Sequence, residues 1–111
     1  MTKTKSPIAL YHSQGEAIMA SKLLAEIINR GFAVTIDNGV EISINNSTNR
    51  AKIMNKMGAT DEDLLIIKNP NGKVAGWFRL IYGNDPCELI NDHSGKSVCY
   101  EICERLESLG V

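Results

Sequence analysis

The two most apolar stretches of the chain lie back to back. Asp63-Leu-Leu-Ile-Ile-Lys and Lys73-Val-Ala-Gly-Trp-Phe-Arg-Leu-Ile-Tyr-Gly flank Asn69-Pro70-Asn71-Gly72, two β-rich runs joined by strong turn residues, the sequence form of a β-hairpin. Pro70 presets φ for the first turn position and Gly72 can take the left-handed conformation, so the spacing predicts a three-residue loop, 70–72, closing on a glycine bulge. In that register Leu64, Ile66, Val74, Phe78, Leu80 and Tyr82 share one face, while Leu65, Ile67, Ala75, Trp77, Arg79 and Ile81 share the other. Both faces are mostly apolar. A sheet with one wet face alternates apolar and polar residues, so this hairpin is either covered on both sides or offers an apolar face to a partner.

The remaining elements follow in order. Residues 8–12 alternate weakly as a short first strand, and Ser13 with Glu16 three positions on forms a capping box. Apolar residues then recur at helical spacing over 16–30 (Ala17, Ala20, Leu24, Ile27, Ile28), with Gly31 as C-terminal cap. A second hairpin pairs Phe32, Val34 and Ile36 with Val40, Ile42 and Ile44. A three-residue loop, 37–39, puts both apolar sets on one face and sends Thr35, Glu41 and Ser43 to water. A short helix is expected over 50–57, capped by Ser47 or Thr48 and ended by Gly58. Residues 87–91 read as an additional strand or as a short helix started by Asp85 and Pro86, with the strand favoured. A last helix carries the stripe Val98, Cys99, Ile102, Cys103, Leu106 and Leu109, with Glu101, Glu104 and Glu107 opposite and Glu101 paired to Arg105 one turn away.

These elements predict an α+β protein with a mostly antiparallel sheet. Its start matches the βαββαβ ferredoxin-like order, followed by an extra strand or two and a C-terminal helix, and a longer meander fits the same order. Residues 1–6 are expected to be a flexible N-terminus and 7–111 a single domain. If the last helix covered Leu65, Trp77 and Ile81, the protein would be a three-layer monomer; otherwise that face is open to a partner or a second copy.

Composition narrows the function. With 111 residues, 43% hydrophobic and 23% charged, the chain is an ordinary globular domain, and a formal net charge of −1 gives no overall attraction to nucleic acid or anionic membranes. No segment approaches a membrane span or the core of a signal peptide. Three cysteines, an odd count, suit reduced thiols in the cytoplasm.

Candidate chemistry is sparse. Cys87, His93, Cys99 and Cys103 lack the paired close spacing of a zinc site, and Cys99 and Cys103 lie on an apolar helix stripe, so neither metal nor cofactor is expected. A cysteine nucleophile would need His12 or His93 as base, and no motif surrounds any cysteine. A cysteine- or metal-dependent enzyme therefore ranks third. The Ser13-Gln14-Gly15 junction lacks the glycine pattern of a phosphate loop, and Glu16 would repel phosphate there. The strand 76–82 partly matches the aromatic strand of an RNA-recognition motif, but Arg79 stands where a stacking aromatic belongs. Arg50, Lys52 and Lys56, together with Arg79, make nucleic-acid binding the second reading. The first is a non-enzymatic protein that contacts a protein partner, or itself, through Leu65, Ile67, Trp77, Arg79 and Ile81.

The pattern Gly-Trp-x-x-Leu-x-Tyr-Gly-Asn from Gly76 to Asn84, followed by Ile90-Asn91-Asp92, resembles small bacteriophage and prophage proteins of unknown function. The resemblance spans 17 of the 111 residues. It implies an accessory protein in a bacterial cytoplasm that modulates a host factor, and it carries no catalytic residues.

Overall fold

The helix that opens the described region shows how local sequence sets each boundary. In the computed structural model, which describes residues 12–109, α1 runs Gln14–Asn29. Ser13 Oγ accepts the Glu16 N–H (3.1 Å) while Glu16 Oε1 accepts the Ser13 N–H (3.2 Å), the reciprocal capping box expected at this end. At the other end Gly31 sits at φ +90, the Gly31 N–H donates to Ile28 O (2.9 Å) and the Phe32 N–H to Ile27 O (3.3 Å). These are the two bonds of a glycine-closed helix end, and they turn the chain directly into the sheet.

Five strands form one antiparallel sheet: β1 (Ala33–Asp37), β2 (Ile42–Ser47), β3 (Glu62–Lys68), β4 (Val74–Ile81) and β5 (Ile90–His93), in the order β2-β1-β3-β4-β5. A short α2 (Arg50–Met54) joins β2 to β3, and α3 (Ser97–Ser108) follows β5. The α+β class and the antiparallel sheet are as expected; of the expected first strand, residues 8–12, all but His12 lies outside the described residues, as do residues 1–6 and residue 7 of the expected domain. Asn49, rather than Ser47 or Thr48, caps α2, its Oδ1 accepting the Lys52 N–H (3.1 Å). Over 87–91 both readings are realised in succession. Asp85 caps a 3-10 turn, Pro86–Glu88, and the strand begins at Ile90.

The central hairpin departs from its expected register. Its loop is as read: the Gly72 N–H donates to Asn69 O (2.8 Å), Gly72 has φ +85, and Lys68 pairs with Val74. One step further on, Ile67 pairs with Gly76, leaving Ala75 as an extra residue. Because side chains alternate with period two, that bulge shifts β4 against β3 and exchanges the faces of every β3 residue relative to Phe78 and Leu80. Leu65 and Ile67, expected beside Trp77, are instead fully buried with Phe78, Leu80 and Tyr82, and Leu64 and Ile66 take their place beside Trp77 and Arg79.

The β1–β2 hairpin also differs. Its loop spans residues 38–41, with Asp37 pairing Ile42, because Asp37 Oδ1 accepts from Gly39 N and Asn38 Oδ1 from Val40 N and Glu41 N. Two irregularities in β2, with Asn46 at φ 50, turn Ile44 toward the core and leave Val40 and Ile42 exposed. Thr35, expected in water, is buried; its hydroxyl donates to Asn45 Oδ1 (2.9 Å) and accepts from Asn46 N (3.0 Å).

All three helices of the described residues pack on one side of the sheet. Leu23, Leu24 and Ile27 of α1, Ile53 of α2 and Cys99, Ile102 and Leu106 of α3 join Val34, Ile36, Leu65, Ile67, Phe78 and Leu80 in a single core. The described residues form two layers, and α3 does not cover Trp77 or Ile81. Glu101 and Arg105 do not pair with each other: Arg105 Nε reaches Glu26 (3.3 Å) and Glu101 meets Arg30 (3.7 Å), bracing α3 against α1.

Gly76 is where α3 comes closest to the sheet. A Cβ there would lie 2.7 Å from Cys99 Sγ and 2.9 Å from Ser94 Oγ. Gly76→Ala is expected to lower stability by about 1–3 kcal/mol through overpacking. Adding Cys99→Ala should return part of that loss in urea unfolding, whereas simple additivity of the two substitutions would refute the contact.

Candidate interaction face

The sheet side away from the helices is set by β3 and β4. Across their register Glu62 stands opposite Ile81, Leu64 opposite Arg79 and Ile66 opposite Trp77, with Lys68 beyond Ile66 at the end of β3. β1 adds Asp37 beside Leu64, Thr35 beside Ile66 and Ala33 beside Lys68, and β5 sets Asp92 beside Arg79. Leu64, Ile66, Trp77 and Ile81 are half-buried by their sheet neighbours, and Val74 and Ile42 are well exposed. Among the described residues no helix lies on this side. The main chain at Trp77 is paired to Ser94: its backbone N–H donates to Ser94 Oγ (3.2 Å) and its carbonyl accepts the Ser94 N–H (3.0 Å). Arg79 Nη1 reaches Glu62 Oε1 at 3.2 Å, both half-exposed, so the pair fixes side-chain positions more than it stabilises the fold. At the Arg79 end a shallow cavity of about 270 Å³ opens among Asp37, Asn38, Gly39, Glu62 and Leu64.

The sheet edges are less suited to a partner. β2 is broken by two irregularities and β5 is four residues long, both devices that blunt strand addition. What the sheet offers is its face.

The other expected sites do not assemble. Of the two residue sets proposed for contact, Trp77, Arg79 and Ile81 share the open face, while Leu65 and Ile67 are in the core. Arg50, Lys52 and Lys56 are exposed on and just after α2, which packs on the helix side, so the sheet separates them from Arg79. Cys87, His93 and Cys103 line one groove with Met19 and Ile90, but Cys99 is buried under the sheet, and among the described residues no three His, Cys, Asp or Glu side chains lie close enough to hold a metal ion. Two of the thiols are held above the usual thiol range. A hydrogen bond and the charge of Asp85 push the exposed Cys87 thiol up, and burial does the same at Cys103. His93 Nδ1 donates to Ser94 O (2.8 Å), and at the start of α1 the Ser13 and Glu16 N–H groups are taken up by the capping box.

One polar cluster was not legible as such in the sequence. Asp63 is fully buried; its Oδ2 accepts the Gly58 N–H (2.8 Å) and the Tyr82 hydroxyl (2.7 Å), while Oδ1 has no protein partner. Gly58 O accepts from His12 Nε2 (3.1 Å), and the His12 ring stacks on Tyr82 with centroids 4.7 Å apart, closing a ring of four residues. Glu16 Oε2 accepts the neighbouring Gly83 N–H (2.8 Å). The ring ties the start of α1 to the ends of β3 and β4, a structural role. The available signal was alternation: Asp63 occupies the same strand face as Leu65 and Ile67.

No protein-family model, curated protein or solved structure matches this chain. No helix among the described residues is long and apolar enough to cross a membrane.

Burial raises the Asp63 pKa, outweighing the hydrogen bonds from Tyr82 and Gly58 and the charge of His12, which pull it down. A carboxyl whose folded value exceeds its unfolded one adds stability that is complete below the unfolded value and is lost as pH rises through the folded one. The expected result is that wild type loses stability relative to Asp63→Asn as pH rises through and above the ordinary carboxyl range. Parallel pH profiles of urea unfolding for the two proteins would contradict this assignment.

Proposed function

We propose that this chain is a small non-enzymatic protein that works by protein–protein contact through the open sheet face around Trp77. The observation that carries the reading is a half-buried tryptophan flanked by Leu64, Ile66 and Ile81 on a side no described helix covers. Trp and Arg are the residues that most often anchor protein interfaces, and here Trp77 and Arg79 stand two positions apart on one strand face. The chemistry elsewhere supports it by default: both histidines are engaged in the fold and two of the three thiols are held up in pKa. Three unpaired cysteines suit a reducing cytoplasm. An accessory role in a phage or prophage, modulating a host factor, is consistent with the resemblance of residues 76–92. Nucleic-acid binding has weaker support, because Arg50, Lys52 and Lys56 do not share a surface with Arg79.

A photo-crosslinking amino acid in place of Trp77, with a control in place of the exposed helix residue Glu104, tests the face. Adducts with protein, a second copy included, are expected from position 77 and not from 104 in bacterial cells producing each variant. Adducts confined to position 104, or none from either, would overturn the reading.

A further inference from the structure

The open face has a pattern that selects its own occupant. Along β3 the open-side residues run Glu62, Leu64, Ile66, Lys68: an acid at one end, a base at the other and two apolar residues between. Beside them on β4 run Ile81, Arg79, Trp77 and, past the bulge, Val74. A twofold axis lying in the interface, perpendicular to the strands and passing between the rows of Leu64 and Ile66, exchanges the two ends of this pattern. Glu62 then meets Lys68 of a second copy and Lys68 meets its Glu62. Leu64 meets Ile66, Ile81 meets Val74, and the Arg79 guanidinium meets the face of Trp77, a favourable cation–aromatic contact. Each open-side residue of β3 and β4 finds a partner of matching chemistry, which is the requirement of an isologous contact. Lys68 takes part in none of the ion pairs among the described residues, so it is available for this one.

We infer that the occupant of the open face is a second copy of this chain, packed sheet to sheet about that axis; the inference rests on the contact reading above and names its partner. Aligned face-to-face packing of twisted sheets supplies the geometry. The size sets the strength. Four strands about 4.8 Å apart and about 20 Å long give a patch on the order of 400 Å² per copy. Two such patches total roughly 800–1,000 Å² once side-chain relief is counted, the low end of specific interfaces, so the dimer exchanges with monomer rather than being permanent. The formal net charge of −1 per chain adds almost no repulsion between copies.

Charge reversal at the two ends tests the axis. Sedimentation equilibrium of the wild type should show a reversible monomer–dimer equilibrium. Glu62→Lys alone sets lysine against Lys68, and Lys68→Glu alone sets glutamate against Glu62, so each should weaken self-association by on the order of 100-fold. An equimolar mixture of the two variants should restore dimers, all of them mixed, as should both reversals placed in one chain. Circular dichroism and urea unfolding of each variant separate loss of fold from loss of contact. A wild type that stays monomeric at every concentration overturns the second copy, and crosslinks from position 77 to a different protein would then leave the contact reading standing. Dimers that persist through both single reversals, or that fail to return on mixing, overturn the axis and with it the inference.

Discussion

The bulge at Ala75 determines what each side of the sheet is made of. Strand side chains alternate, so a single unpaired residue between Val74 and Gly76 decides whether Phe78 and Leu80 point to the same side as Leu64 and Ile66 or as Leu65 and Ile67. With the bulge in place, Leu65, Ile67, Phe78 and Leu80 meet the helices, and Trp77, Leu64, Ile66 and Ile81 are left facing away. The bulge also brings Gly76 beneath α3, where the absence of a side chain lets Cys99 approach the sheet. Core packing, the seat of the last helix and the make-up of the open face all follow from that one register choice.

The polar groups of the helix side are committed to holding this arrangement. Glu16 closes the capping box of α1 and reaches across to Gly83; Asp63 ties Gly58 to Tyr82; Ser94 holds both main-chain groups of Trp77. Buried polar atoms with their hydrogen bonds made add specificity to a small core, and groups so engaged are not free for chemistry. Function is therefore sought where the chain leaves apolar surface uncovered and where its charges are patterned rather than merely present.

Much of this was legible along the chain wherever the signal is local. The capping box of Ser13 and Glu16, the glycine end at Gly31, the Pro70–Gly72 turn chemistry and the apolar stripe of α3 are all short-range devices, and each is found where it was read, except that the stripe ends at Leu106 and Leu109 is exposed. The failures share one cause. Both registers of the central hairpin give two apolar faces, so periodicity cannot choose between them, and the bulge that does choose depends on how Cys99 and Ser94 crowd Gly76 from elsewhere in the fold. The 38–41 loop likewise depends on side-chain acceptors at Asp37 and Asn38 that compete with the shorter turn. Glu101 and Arg105 found partners on α1 because packing placed Glu26 and Arg30 within reach. The open face was thus half visible: Trp77, Arg79 and Ile81 share it, but their neighbours across the strand were assigned one residue off.

The register can be tested by comparing neighbours on β3. Ile67→Ala removes a fully buried side chain and should lower unfolding free energy by about 2–5 kcal/mol, while Ile66→Ala, measured at concentrations where the chain is monomeric, should cost less than about 1.5 kcal/mol. A clearly larger loss at Ile66 than at Ile67 would mean that the strand presents its other face to the core, and the open face described above would not exist.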